Sequence, residues 1–432
     1  MKWKQITLGE ILRVKHGWAF KSEHFSDVGQ HIVLTPGNFY EEGGFKARGD
    51  KDRFYSGDYP SEYLLSKGNV IVAMTEQGEG LLGSAAIIPE NDRFLHNQRL
   101  GLVTIKNDAE ADLFFVYKLF NTQIVRQQIS GSASGAKVKH TAPERIYKCK
   151  VELPPLHLQR NIAAILSAYD YLIENNLTRI KLLEEMAQIT YEEWFVRLKF
   201  PGHETTPLDS ATGLPVGWKK EKLGNVTSYI NRGVSPDYVE NDGFCVINQK
   251  CIRNHYVNLE EARLTSKAKR IPDDKLINKL DILINSTGTG TLGRVAQIFA
   301  TPGFATVDSH VTIVRASTPI FALYLGRALE HIESFIENLG KGATNQQELS
   351  RTDLAELIKV VVPTKDVLIK YDEFSSPIYE SISMYQSQNQ LLKEARDILL
   401  PRLMTGMIDV EQLVLPESFS NLSASTQVPQ TV

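Results

Sequence analysis

Residues 182–189 read LLEEMAQI and residues 391–398 read LLKEARDI, so that Leu182, Leu183, Glu185 and Ile189 return 209 positions later as Leu391, Leu392, Glu394 and Ile398. The same shift carries Pro154 to Pro363 and Ile173 to Ile382. Toward the N-terminus, Gly78, Gly80 and Gly83 return as Gly288, Gly290 and Gly293 at a shift of 210, and Trp3, Leu8 and Gly9 return as Trp218, Leu223 and Gly224 at a shift of 215. So small a drift is a duplication with loop-length changes, and a period near 210 is far too long for a solenoid. The chain is written twice.

Each copy has the same internal order. About 150 residues of short strands, helices and glycine turns come first; the strands are expected at 69–74, 84–88 and 102–105, and again at 281–285, 294–299 and 311–314. A proline-marked boundary follows, LPPL at 153–156 and VVPT at 361–364. A helical segment closes each copy. Ser167, with Asp170 three residues on, reads as an N-cap, and Ser376 followed by Pro377 reads as a cap with proline at the first helical position. The long helices are therefore expected at about 168–199 and 377–404, each preceded by a shorter helix, with Pro401 bending the last turn of the second.

Within the first helix Ile173, Ile180, Ala187 and Trp194 recur every seven residues, interleaved with Asn176, Leu183 and Thr190. In the second, Ile382, Asn389, Arg396 and Leu403 interleave with Tyr385, Leu392 and Leu399. These are coiled-coil seams whose polar members cost stability but fix register. The domain plan is a first mixed domain over 1–152, a helical region over 153–199, a Pro-, Gly-, Ser- and Thr-rich linker over 200–217, a second mixed domain over 218–362, a second helical region over 363–407, and a polar tail over 408–432 expected to be disordered.

Composition narrows the function. The 432 residues are 42% hydrophobic and 23% charged, without an apolar run of membrane-span length or an N-terminal signal stretch, which predicts a cytoplasmic globular protein. Cys149, Cys245 and Cys251 fit neither a disulfide set nor a metal spacing. A net charge of −3 counts against a general nucleic-acid coat and requires that any DNA binding be local or shared with basic partners.

Two tempting motifs dissolve on inspection. Gly78-Glu79-Gly80-Leu81-Leu82-Gly83 and its repeat, residues 288–293, match a dinucleotide fingerprint, but strand-like residues follow where a helix is required. A β-hairpin tip is the better reading, flanked by Gln77 in copy one and by Ser286, Thr287 and Thr289 in copy two. Asp237 with Asp273, Asp274 and Lys275 has the residue types of a metal-dependent nuclease, yet copy one has no counterpart. That nuclease is kept as the alternative function.

Reading a base edge needs amides, arginines and hydroxyls directed into a groove. Such groups occur as sets at comparable places: His96, Asn97, Gln98 and Arg99 precede one strand, and Asp308 and His310 precede its counterpart. Lys137, Lys139 and His140 follow the loop GSASG, while Lys341, Asn345 and Gln346 follow Gly340. Copy two adds Asn248, Gln249, Lys250 and Arg253. With Gln77, Gly78, Gly80, Ser286, Thr287 and Thr289 these are the candidate DNA-binding residues; no catalytic or metal-binding residue is assigned.

Three stretches carry a family resemblance: LPPLHLQRNIAAIL at 153–166, LPVGWKKEKLG at 214–224 and LLPRLMTGMIDV at 399–410. With them the chain resembles the specificity subunits of type I restriction-modification systems over nearly its whole length. It departs at VVPTKDVLIKYDEF, residues 361–374, where the usual glutamine is replaced. The resemblance implies an α+β fold of two similar mixed α/β target-recognition domains, separated by two long antiparallel helices in a coiled coil and related by a pseudo-two-fold axis. It implies a non-catalytic subunit in which each domain reads half of a split double-stranded DNA site. The implied partners are two methyltransferase subunits docked on the helices and motor-nuclease subunits, with S-adenosylmethionine, ATP and Mg held by those partners, none by this chain, and no membrane. The unlike loops of the two copies predict unlike half-sites.

Overall fold

The computed structural model describes residues 3–76, 80–135, 138–301, 303–340 and 347–411. It divides into two compact units, residues 1–174 with 389–432 and residues 175–388. Each contains one mixed domain and a share of both long helices.

In the first unit, Lys4–Thr7 (β1) pairs antiparallel with Lys150–Leu153 (β8), closing the mixed domain at its neck. Between them Leu12–His16 (β2), His31–Val33 (β3), Val70–Ala73 (β4), Ala85–Ile87 (β5), Phe94–Leu95 (β6) and Leu100–Ile105 (β7) precede the helices Leu113–Phe120 (α1) and Gln123–Gly131 (α2). The main sheet has the order β2-β7-β4-β5, all antiparallel, and β3 pairs parallel with β6 in a second sheet. β4 is fully buried, as a run of Val, Ile, Val and Ala permits. On one face of the sheet Val70 and Val72 join Phe115, Val116 and Phe120 of α1; on the other, Ile71 and Ala73 join Ile32 and Phe94.

The second unit repeats this plan. Lys219–Lys222 (β9) pairs with Lys359–Val362 (β16) over the same four-residue register. Thr227–Arg232 (β10), Gly243–Ile247 (β11), Ile282–Asn285 (β12), Val295–Gln297 (β13), Ala305–Val307 (β14) and Val311–Ala316 (β15) lie between them, followed by the helix Pro319–His331 (α4). The main sheet runs β10-β15-β12-β13, and β11 pairs parallel with β14. The six expected strands are therefore found; Gly80 and Gly83 of the first glycine motif and residues 288–293 of the second lie between the antiparallel strands β4–β5 and β12–β13, followed by a strand and not by a helix.

The helices differ from the sequence expectation. Instead of a short helix and a capped long one, the first copy has one helix, Leu156–Tyr191 (α3), followed by a π-turn at Glu192–Val196. Ser167 lies inside it. Pro154 and Pro155 mark the start, because a proline at a helix entrance lacks only an N–H that would go unbonded there; the Pro155 carbonyl takes the N–H groups of Leu158 and Gln159. The second copy likewise has one helix, Lys365–Met404 (α5), with Pro377 in its interior. An interior proline costs about 3 kcal/mol. Burial on both sides of it, by Val367, Leu368 and Tyr371 before and Ile378, Tyr379 and Ile382 after, offsets that cost.

Within each unit the helices run antiparallel. In the first, Asp170 meets Arg396 at 3.0 Å and the Ile173 carbonyl accepts from Asn389 Nδ2 at 3.5 Å. Leu399 and Leu403 share the core of that unit, and Leu392 is half-buried. In the second, Asn176 Nδ2 donates to Gln388 at 3.4 Å and Arg179 to the Tyr385 hydroxyl at 3.1 Å. Ile180, Ala187, Leu183 and Trp194 pack there with Ile382 and Tyr385. In each unit residues of the heptad pattern, polar ones among them, lie between the two helices.

The departure from the family pattern has a structural reading. Gln159 is fully buried in copy one and ties α3 to its domain, accepting from Asp112 N at 2.9 Å and donating to the carbonyls of Glu110 at 2.9 Å and Pro154 at 2.8 Å. The position 209 residues later is Leu368, which packs in an apolar cluster instead. The expected linker is a folded arm. Phe200 and Trp218 are buried with ring centroids 4.9 Å apart, and the Asp209 carboxylate collects the N–H groups of Ala211 and Thr212 at 2.8 and 2.9 Å. The expected disordered tail lies outside the described residues from 412 onward.

Candidate nucleic-acid interface

At one end of each main sheet, backbone hydrogen bonds draw several loops onto the residues leaving the central strand. In the first unit Met74, one residue past β4, donates its N–H to the Arg99 carbonyl and accepts from Thr141 N, both at 2.9 Å, while Glu76 N donates to the Lys139 carbonyl at 2.9 Å. In the second, Ser286 N donates to the His310 carbonyl and accepts from Leu349 N, both at 2.8 Å. The second residue after β2 and the second after β10 join in the same way, Trp18 N donating to His96 O at 2.8 Å and Val234 N to Val307 O at 2.9 Å. The preceding glycines make this approach possible: a Cβ on Gly17 would stand 2.2 Å from Asn97 O, and one on Gly233 1.9 Å from Val307 O. In copy two Asn285 Nδ2 also donates to the Gln249 carbonyl at 3.0 Å, bringing residues 248–253 to the cluster.

The hairpin tips are pinned alike by unlike means. Arg126 of α2 donates to the carbonyls of Gly80, Leu82 (3.0 Å) and Glu41 (3.0 Å). In copy two Arg294, at the foot of β13, donates to Gly290 O at 2.7 Å. Neither arginine was identified from sequence. Arg126 lies 46 residues from the carbonyl it holds, so no local spacing announces it. Trp18, 40% exposed and set against Tyr63 with centroids 5.4 Å apart, was also missed.

The candidates separate into presented and supporting groups. Gln98, Arg99, Lys139 and His140 are exposed in the first unit, as are Lys250, Arg253, Thr289 and His310 in the second; Asn97, Gly80, Gln249 and Thr287 are half-buried. Four expectations are corrected. His96 is fully buried, its Nε2 3.0 Å from Leu100 O, and burial lowers its pKa to about 4. It is a neutral core group. Ser286 is fully buried against Thr312; Asn248 closes a turn on Lys250 N at 2.9 Å and Glu261 O at 2.8 Å; Asp308 caps His310 N at 2.9 Å. Burial takes these four from base contact to support. Gln77, Gly78, Lys137, Lys341, Asn345 and Gln346 lie outside the described residues.

The residues of the nuclease alternative are engaged separately. Asp237 pairs with Lys269 at 3.1 Å, Asp274 accepts from the Tyr229 hydroxyl at 2.9 Å, and Lys275 donates to Gly233 O at 2.7 Å. Among the described residues no group of three or more His, Cys, Asp or Glu is placed to share a metal ion, and no helix is long and apolar enough to cross a membrane. What each cluster offers is a set of exposed amide, imidazole, hydroxyl, guanidinium and ammonium groups on a braced backbone, the groups that hydrogen-bond base edges and phosphates.

The family described as the type I restriction modification DNA specificity domain matches residues 1–185. The MjaIX specificity subunit of Methanocaldococcus jannaschii is 24% identical over 308 residues, 69% of this chain and 70% of that one. The EcoBI specificity subunit of Escherichia coli is 24% identical over 340 residues, 74% of this chain and 66% of its own length. The crystal structure of a type I restriction-modification S subunit from M. genitalium is similar in fold, with a TM-score of 0.60 and 16% identity, covering 93% of this chain and 96% of that one.

Proposed function

We propose that the chain is a specificity subunit of a type I restriction-modification system, a reading supported by the match of residues 1–185 to that family and by its curated relatives, and that each of its two mixed domains reads one half of a split, double-stranded DNA target. One observation carries this reading: the same strand order and loop convergence occur twice, while the side chains presented on them differ. A shared scaffold supplies the docking geometry, and unlike side chains supply unlike sequence preferences. In this proposal the long helices set the gap between the halves; α3 alone, at about 1.5 Å per residue, is roughly 54 Å long, more than the ~34 Å of one duplex turn.

The outward faces of the helices seat the methyltransferase subunits. Leu182, Met186 and Ile189 are exposed at i, i+4 and i+7 on α3, and Leu391 and Ile398 repeat two of these positions on α5. S-adenosylmethionine, ATP and Mg are assigned to the methyltransferase and motor-nuclease companions. Selection from random duplexes by the chain assembled with its methyltransferase subunits is the test. The expected product is one bipartite sequence with two unlike halves at a fixed gap; two identical inverted halves, or no enrichment, would overturn the proposal.

A further inference from the structure

Thr75 and Thr287 occupy the same place in the two copies, two residues beyond the ends of the central strands β4 and β12. Each hydroxyl is bonded to a histidine. Thr75 Oγ1 lies 3.1 Å from His140 Nδ1, and Thr287 Oγ1 lies 2.7 Å from His310 Nδ1. The two histidines come from different loops. His140 is bridged in β fashion to Thr75 and to Ser134, and the residue bridged to Thr287 at the corresponding place is Glu348. His310 gives its carbonyl to Ser286 N; the residue doing so for Met74 is Arg99. The imidazole has therefore been exchanged between loops while the threonine beneath it has stayed in place.

Both histidines are exposed. With Nδ1 fixed, each ring keeps Nε2 without a hydrogen-bond partner among the described residues. A hydroxyl can donate or accept, so the ring can present Nε2 as an N–H donor or as a lone pair. That pair of states suits a base edge, which offers acceptors in guanine and donors in adenine and cytosine. A phosphate offers acceptors only and is the same under both domains, so it gives no reason for the imidazole to change loops.

On the reading that each domain recognises one half-site, we infer that His140 and His310 are base-reading groups of their respective halves, and that Thr75 and Thr287 are positioning residues that aim them. The experiment is random-duplex selection by the full complex carrying H140A, H310A, T75V or T287V, with T75S and T287S as restorations. H140A relaxes the preference about tenfold at one position of one half; H310A does so in the other half only. The valine variants reproduce the matching histidine loss at the same position, and the serine variants regain the preference. A histidine variant that weakens binding equally on all sequences, or leaves the selected sequence unchanged, overturns the assignment. A wild-type complex that selects no sequence contradicts the half-site reading itself, a failure separate from these outcomes.

Discussion

Replacing Asp170 with alanine will destabilise the first unit by about 3–5 kcal/mol, the cost of leaving a buried cation without its counter-charge. Lys118 of α1 has a side chain only 7% exposed, and its ammonium is paired with the Asp170 carboxylate of α3. The other carboxylate oxygen holds Arg396 of α5 at 3.0 Å. One carboxylate thus joins a domain helix to both long helices of that unit. Without it Lys118 must stay charged in an apolar setting or pull the helix contact apart. Denaturant unfolding of D170A checks the loss, and K118M/D170L should recover most of it, because an apolar pair of similar volume carries no desolvation cost. Copy two has Arg327 and Tyr379 at the positions 209 residues on, with the guanidinium 5.6 Å from the ring centroid, so the same joint is made there without that carboxylate.

If the methyltransferase subunit docks on α3 as proposed, converting Leu182, Met186 and Ile189 to aspartate will reduce its affinity about 1,000-fold, since two apolar anchors at about 2 kcal/mol each amount to about 4 kcal/mol. These side chains are 59%, 41% and 60% exposed, so the isolated chain loses little packing and its melting temperature should move by no more than a few degrees. Titration of labelled chain with the methyltransferase subunit separates the two effects. Unchanged affinity would remove docking from this face.

What the sequence disclosed was whatever depends on short, regular spacing. The glycine hairpins, the strands beside them and the heptad seam were all legible, because each is a local pattern repeated at a nearly constant shift. Helix onset was not. Ser167 and Ser376-Pro377 are good local start signals, but packing along α3 and α5 carries the helices through both. Nor was the division of the site into presented and supporting groups. His96 follows β6, whose parallel pairing with β3 joins segments about 60 residues apart and takes its imidazole into the core. Asp308 follows β14, which pairs in the same way with β11. The arm over 200–217 has a linker's composition, yet Phe200 and Trp218 at its ends close it by ring contact.

If each domain carries its own reading of the DNA, exchanging the domains will change the target in a defined way. The necks β1–β8 and β9–β16 have matching four-residue registers, so residues 4–153 can be replaced by residues 219–362 with junctions in equivalent places. Random-duplex selection by the complex built on this chimera should return a target whose two halves are the same sequence in inverted orientation, equal to the second half of the wild-type target. A chimera that folds and binds its methyltransferase subunits but still selects two unlike halves would show that the domains do not read the halves independently.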